Sequence, residues 1–231
     1  MSAREPVEVQ GGLRASLSLL SRNRDFRRLY VASLISLGGD WFLLVALFGL
    51  VLHFTGSAIA VALVLAVQDL MYFLLSPVAG VLADRIDRRR LMVAADLARA
   101  AVCLGFLLIR SDSEVWLAFL LLAVMASFSA AFEPASAAAL PNLVEEEDLA
   151  TANALSGSLW GTMLAVGAAL GGVVAAVFGR DTAFVLDAAS FLASAWLIYR
   201  IRRPFAEQLR RPKMTWVKRA NSERFDIYIE R

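Results

Sequence analysis

Residues 80–90 read Gly80-Val81-Leu82-Ala83-Asp84-Arg85-Ile86-Asp87-Arg88-Arg89-Arg90, a glycine-led turn with four arginines, the last three consecutive. Before it, Ser57 to Ala83 carries one charge, Asp69, and after it, Leu91 to Ile109 carries two, Asp96 and Arg99. Each flank has 18 residues or more, near the roughly 20 apolar residues that a helix needs to cross a hydrocarbon core of about 30 Å. Four further runs of that length follow the same reading: Leu29 to His53, Val115 to Leu140, Asn153 to Gly179 and Thr182 to Tyr199. The 231 residues are 59% apolar and 19% charged, with mean hydropathy +0.63 and formal net charge +2. A soluble domain is nearer half apolar and a quarter charged. The chain is therefore expected to be an all-α integral membrane protein with six transmembrane helices, a composition that argues against a soluble enzyme.

Charge sorted by position predicts the topology. Residues 1–28 hold six arginines, 84–90 four, and 200–231 eight arginines with Lys213 and Lys218; only Arg99, Arg110 and Arg180 lie elsewhere. Short connections such as Phe54 to Gly56 and Arg180 to Asp181 force neighbouring spans to run antiparallel. All three clusters then fall on one face, with 20 basic residues against Arg110 and Arg180 on the other. Cytosolic loops hold the excess of Lys and Arg, so both termini are expected in the cytosol of a multi-pass plasma-membrane protein. The loop Pro141 to Ala152 falls on the same side and is acidic, which the rule tolerates. Residues 1–28 read as a cytosolic basic segment without a cleaved signal, 29–203 as the membrane bundle and 204–231 as a cytosolic basic tail.

Several chemistries lack their residues. One cysteine, Cys103, and one histidine, His53, supply neither an internal disulfide nor a thiolate or imidazole metal site. Ser158 follows Gly157, but no G-x-S-x-G elbow surrounds it and no phosphate-cradling P-loop occurs anywhere. No enzyme activity, cofactor, metal or nucleic-acid partner is expected; the partners are membrane lipid and a small-molecule substrate.

Six charges inside the spans need an explanation, because an ionised group at bilayer depth costs roughly 2.5–3.5 kcal/mol even on insertion scales. They are Asp40, Asp69, Asp96, Arg99, Glu133 and Asp187. Asp96 and Arg99 are three apart and share a helix face, which makes them a structural charge pair. Asp40 and Glu133 have no partner within a turn of their own helices, so each either cross-links helices or titrates in a cavity, as a proton-coupled carrier requires. Asp69 is a third cavity candidate, although interior polar contacts are the favoured reading for it and for Asp187. Gly38-Gly39 precedes Asp40, Pro77 interrupts the second span and Pro134 follows Glu133, which places loosened backbone near the same sites. Gly157, Gly161, Gly167, Gly171 and Gly172 of the fifth span read as close helix packing.

The ordered glycine, acid and arginines of residues 80–90 resemble the signature between the second and third helices of the major facilitator superfamily. Other stretches are similar to its branch of bacterial macrolide and siderophore exporters. They are Asn23-Arg24-Asp25-Phe26-Arg27-Arg28-Leu29, Ser36 to Asp40, Asp96-Leu97-Ala98-Arg99, Phe132-Glu133-Pro134-Ala135, Leu140 to Val144 and Ala152 to Leu155. The resemblance spans about residues 20–203 and implies an alternating-access carrier, with the first and fourth spans along a central cavity and the third and sixth toward the periphery. Asp40, Glu133 and Asp69 become candidates for handling protons or substrate charge. Gly80, Asp84, Arg85, Asp87, Arg88 and Arg89 become a cytosolic gating signature, in which the family's equivalents of Asp84 and Arg85 help latch two halves together. Asp87 stands where the signature commonly has glycine, and Gly167-Ala168 where the antiporter motif has proline second. The fourth span lacks the arginine that many proton-driven exporters carry there.

Members of the superfamily have twelve spans in two six-helix bundles, each of two inverted three-helix repeats. This chain carries one such bundle, so it is expected to be an amino-terminal half or fragment of a carrier; the alternatives are a half-carrier that needs a partner chain and a non-transporting membrane scaffold. The favoured activity is efflux of small amphipathic, drug- or siderophore-like molecules by proton-coupled antiport.

Overall fold

The computed structural model describes residues 12–205, 214–218 and 225–229. Its helices are α1 (Leu13–Arg22), α2 (Arg24–Thr55), α3 (Ala58–Arg85), α4 (Arg88–Gly105), α5 (Val115–Leu143), α6 (Leu149–Phe178) and α7 (Arg180–Tyr199). The six from α2 to α7 are long and apolar enough to cross a membrane, so the bundle is all-α as its composition predicts. At about 1.5 Å per residue the 32 residues of α2 run ~48 Å. That exceeds the ~30 Å apolar core, and the turn carrying Arg24, Asp25, Arg27 and Arg28 is the part that lipid would exclude.

Local chemistry sets the helix ends. The side chain of Asn23 accepts from the Phe26 N–H at 2.9 Å, Ser57 from Ala60 at 3.3 Å and Asp87 from Arg90 at 2.9 Å, so α2, α3 and α4 each start on a capping residue. Gly56 closes α2 at φ +61°, a left-handed conformation that favours glycine. This hard stop lets α3 begin two residues later.

The packing has an internal symmetry. Helix α2 lies mainly on α7 and α6, α5 mainly on α4 and α3, and α4 lies on α7. Exchanging α2 with α5, α3 with α6 and α4 with α7 maps this set of pairings onto itself. Two three-helix repeats, α2–α4 and α5–α7, are therefore interleaved, and an odd number of spans in each forces the second to enter from the opposite face. The helices form an open arc in the order α3, α5, α4, α7, α2, α6. Of α3, only Val64, Ala79 and Ala83 are buried. Lipid tails are as apolar as leucine, so association rests on close approach rather than on the hydrophobic effect. A Cβ at Gly171 of α6 would lie 2.9 Å from the Phe42 Cα, and one at Gly167 would lie 3.0 Å from the Trp41 Cβ.

Four features differ from the sequence reading. The basic segment before the first span contains α1, whose buried Leu19 packs with Phe26, Leu140 and Val144. The tail contains a two-stranded antiparallel hairpin of β1 (Met214–Lys218) and β2 (Phe225–Ile229), with Met214 opposite Ile229 and Lys218 opposite Phe225. Helices α3 and α5 run unbroken through Pro77, Pro134 and Pro141, because a helix with packed neighbours can absorb the missing N–H. Within an unbroken α2, Gly39 serves packing: a Cβ there would collide with the Asp187 carboxylate and the Ser190 hydroxyl of α7, whereas one at Gly38 would only touch Met163.

Candidate functional site

The hollow of the arc holds two adjoining cavities of about 230 and 450 Å³. Both are walled by Leu37 and Asp40 of α2, Tyr72 of α3, Ser129 and Glu133 of α5, and Trp160 of α6. Trp160 meets Trp41 edge to face with ring centroids 6.4 Å apart, which gives the wall an aromatic side. Asp69 joins the larger cavity, exposed and without an ion-pair partner among the described residues. Glu133 is exposed toward the hollow and has no ion pair among the described residues either.

Asp40 differs, because a cation reaches it from another helix. Arg99 of α4 is buried and lies 3.7 Å from the Asp40 carboxylate, and it also pairs with Asp96 one turn back on its own helix. Its guanidinium donates to the Ser36 hydroxyl at 3.1 Å and to the Ser129 hydroxyl at 3.3 Å. The rings of Phe132 and Phe191 cover it, with centroids 4.7 and 4.3 Å away. Asp96 is wholly buried whereas the Asp40 side chain is 29% exposed, so one partner is locked in and the other is open to the cavity. The third span thus lies outside the cavity wall yet sends an arginine through it, where the fourth span has none.

Asp187 sits behind Asp40, against Gly39, and is fully buried. It accepts from the Cys103 thiol at 3.3 Å and from the Ser190 hydroxyl at 3.2 Å, contacts of the interior polar kind.

The signature residues 80–90 lie at the arginine-rich end of the bundle. Asp84 and Arg85 are exposed, and Asp84 lies 3.7 Å from Arg88. Arg88 donates to the carbonyls of Ala138 and Phe205 at 3.2 and 3.1 Å, while Arg89 donates to the Arg203 carbonyl at 2.8 Å and lies over the Phe205 ring. These two arginines tie α4 to the segment that leaves α7. Asp87, the departure from the commoner glycine, caps α4, and Gly80 has open space where a Cβ would stand. Nearby, four residues ahead of the first apolar span, Asp25 accepts from the backbone N–H groups of Arg203 and Arg202 at 3.0 and 3.3 Å and from Arg28 at 2.9 Å. Burial alone would raise its carboxyl, but these bonds together hold it below the usual carboxylate value.

The sequence reading did not single out Ser36, Tyr72, Ser129 or Trp160. Three of them carried a signal: Ser36 is four residues before Asp40, Ser129 four before Glu133 and Tyr72 three after Asp69, so each shares a helix face with a cavity acid.

Six spans folded as paired three-helix repeats around a hollow lined by acids and aromatics define a bundle of the multi-span carrier class. Residues 15–221 match the transmembrane secretion effector family. The chain belongs to that family, within the major facilitator superfamily. It is similar to the MFS-type transporter YfiS of Bacillus subtilis (strain 168), 30% identical over 80% of this chain and 44% of the relative. Macrolide efflux protein A of Streptococcus pyogenes is 28% identical over 65% of this chain and 38% of its own length. The MFS-type transporter YkuC of Bacillus subtilis (strain 168) is 26% identical over 90% and 49% respectively. The chain thus spans less than half the length of these curated relatives.

Proposed function

We propose that this bundle is the amino-terminal half of an exporter of small amphipathic molecules. It works against a second six-helix bundle supplied by the same polypeptide or by another chain, in the plasma membrane with both ends of the bundle's chain in the cytosol. The observation that carries the reading is the hollow itself. Asp40, Glu133 and Asp69 line it together with Tyr72 and Trp160, and three acids are kept at membrane depth, where each would cost roughly 2.5–3.5 kcal/mol against lipid. Acids with aromatic neighbours suit an amphipathic substrate carrying positive charge, and similarity to a macrolide efflux protein supports the same class.

Asp40 and Glu133 take up protons or substrate charge in turn, and Asp69 guides the substrate from the wider cavity. Asp96 holds Arg99 in place beside Asp40. The exposed Asp84 and Arg85 latch the bundle to its counterpart at the cytosolic end, while Arg88 and Arg89 brace the loop that presents them.

The test joins the chain to a second bundle and measures efflux of a fluorescent amphipathic cation from vesicles under an imposed proton gradient. Transport that requires the gradient and is lost in Asp40→Asn and Glu133→Gln supports the reading. Absence of transport in the reconstituted pair, or transport indifferent to both substitutions, sinks it.

A further inference from the structure

A third cavity, of about 560 Å³, opens at the arginine-rich end, away from the hollow. It is lined by the α1–α2 junction, the connection between α5 and α6 and the segment after α7, and all nine lining residues are polar. Five are arginines and three are acids. Each acid is already engaged. Asp148 is paired with Arg22, Asp25 is held by Arg28 and two backbone N–H groups, and Glu145 lies 3.2 Å from Arg203. Arg24 and Arg202 remain, both exposed and without a carboxylate partner among the described residues.

Depth narrows the ligand. Arg28 directly precedes the first apolar span, and Arg24 stands one helical turn, about 6 Å, further out. The polar shell of a bilayer is ~5–8 Å thick on each side, so Arg24 lies where lipid phosphates lie. Helix α1 fits the same plane: Leu19 is buried against the bundle while Leu17 is left 64% exposed, as in a short interfacial helix. Arginine offers a planar fork of donors that matches phosphate oxygens two at a time.

We propose that this cavity is an anion site that takes a phosphate group between Arg24 and Arg202, with Arg22, Arg28 and Arg203 held ready around it by their acids. A phosphate diester on an anionic lipid and a free phosphate share that chemistry. The test uses the whole chain, purified in detergent and titrated with phosphatidylglycerol, with phosphatidylcholine and separately with inorganic phosphate, and read by native mass spectrometry. Phosphatidylglycerol is expected to bind in preference to phosphatidylcholine. The double variant Arg24→Gln/Arg202→Gln should weaken it about 10- to 30-fold, the effect of two arginines at a membrane surface. Arg14→Gln/Arg90→Gln, with the same loss of charge elsewhere, should leave it unchanged. Displacement of the lipid by millimolar inorganic phosphate assigns a free phosphate as the occupant, and resistance to it assigns a lipid; both support the site. Equal weakening by the two double variants, equal retention of the two lipids, or binding of neither lipid nor phosphate overturns it.

Discussion

The arginine at the centre of the bundle and the arginines at its end use the same chemistry in opposite surroundings. Arg99 lies buried between two phenylalanine rings, paired with the wholly buried Asp96 and reaching Asp40 at the cavity. Arg22, 61% exposed, meets Asp148 where water competes for both partners. A buried pair need not add stability over an apolar pair of the same shape, but removal of one partner strands the other; an exposed pair gives little and loses little. The central group therefore fixes how α2, α4, α5 and α7 meet, while the end group adjusts.

The largest effect should come from splitting the central pair. Arg99→Leu is expected to destabilise by about 3–5 kcal/mol, and Arg99→Leu/Asp96→Leu by clearly less, because the second change removes the stranded acid. Thermal unfolding of both in one detergent measures this; equal losses would reduce the centre to ordinary packing. Next comes the seam behind it. Gly39→Ala forces a methyl group into Asp187 and Ser190 and should cost about 1–3 kcal/mol, whereas Gly157→Ala, with open space at its Cβ, should be close to neutral.

The smallest effect lies at the exposed end. The folded-state value of Asp25 is depressed, so its contribution is fully present above the ordinary carboxylate value of about 3.9 and is lost as pH falls below it. Between about pH 5 and pH 3 the parent chain should lose stability faster than Asp25→Asn, by less than ~1 kcal/mol. Parallel melting curves would remove Asp25 from the account of that end.

Much of this was legible in one dimension. Six runs of 18 residues or more, the basic clusters between them and the three-residue step from Asp96 to Arg99 are local patterns, and lipid makes the length criterion strict. The contact between Arg99 and Asp40 is not local: the two are 59 positions apart on different helices, and it takes the packing of both α2 and α4 against α7 to bring them together. Gly39 misled for the same reason, since a glycine beside an acid suggests loosened backbone until α7 is seen to occupy the space. Helix α1 and the β1–β2 hairpin fell below the scale of the reading. Their ten- and five-residue elements are far shorter than a membrane span and carry no comparable apolar run.

The arc also has a mechanical side. The two rods at its ends, α3 and α6, are each fastened along essentially one edge, α3 to α5 and α6 to α2, while the four between them are gripped from both sides. Force on such an assembly is absorbed where the fewest contacts must slip. Its compliance is therefore concentrated in two members that bound the same opening, so the mouth of the hollow can change width while the Asp40–Arg99–Asp96 cluster, held by the inner four, keeps its shape.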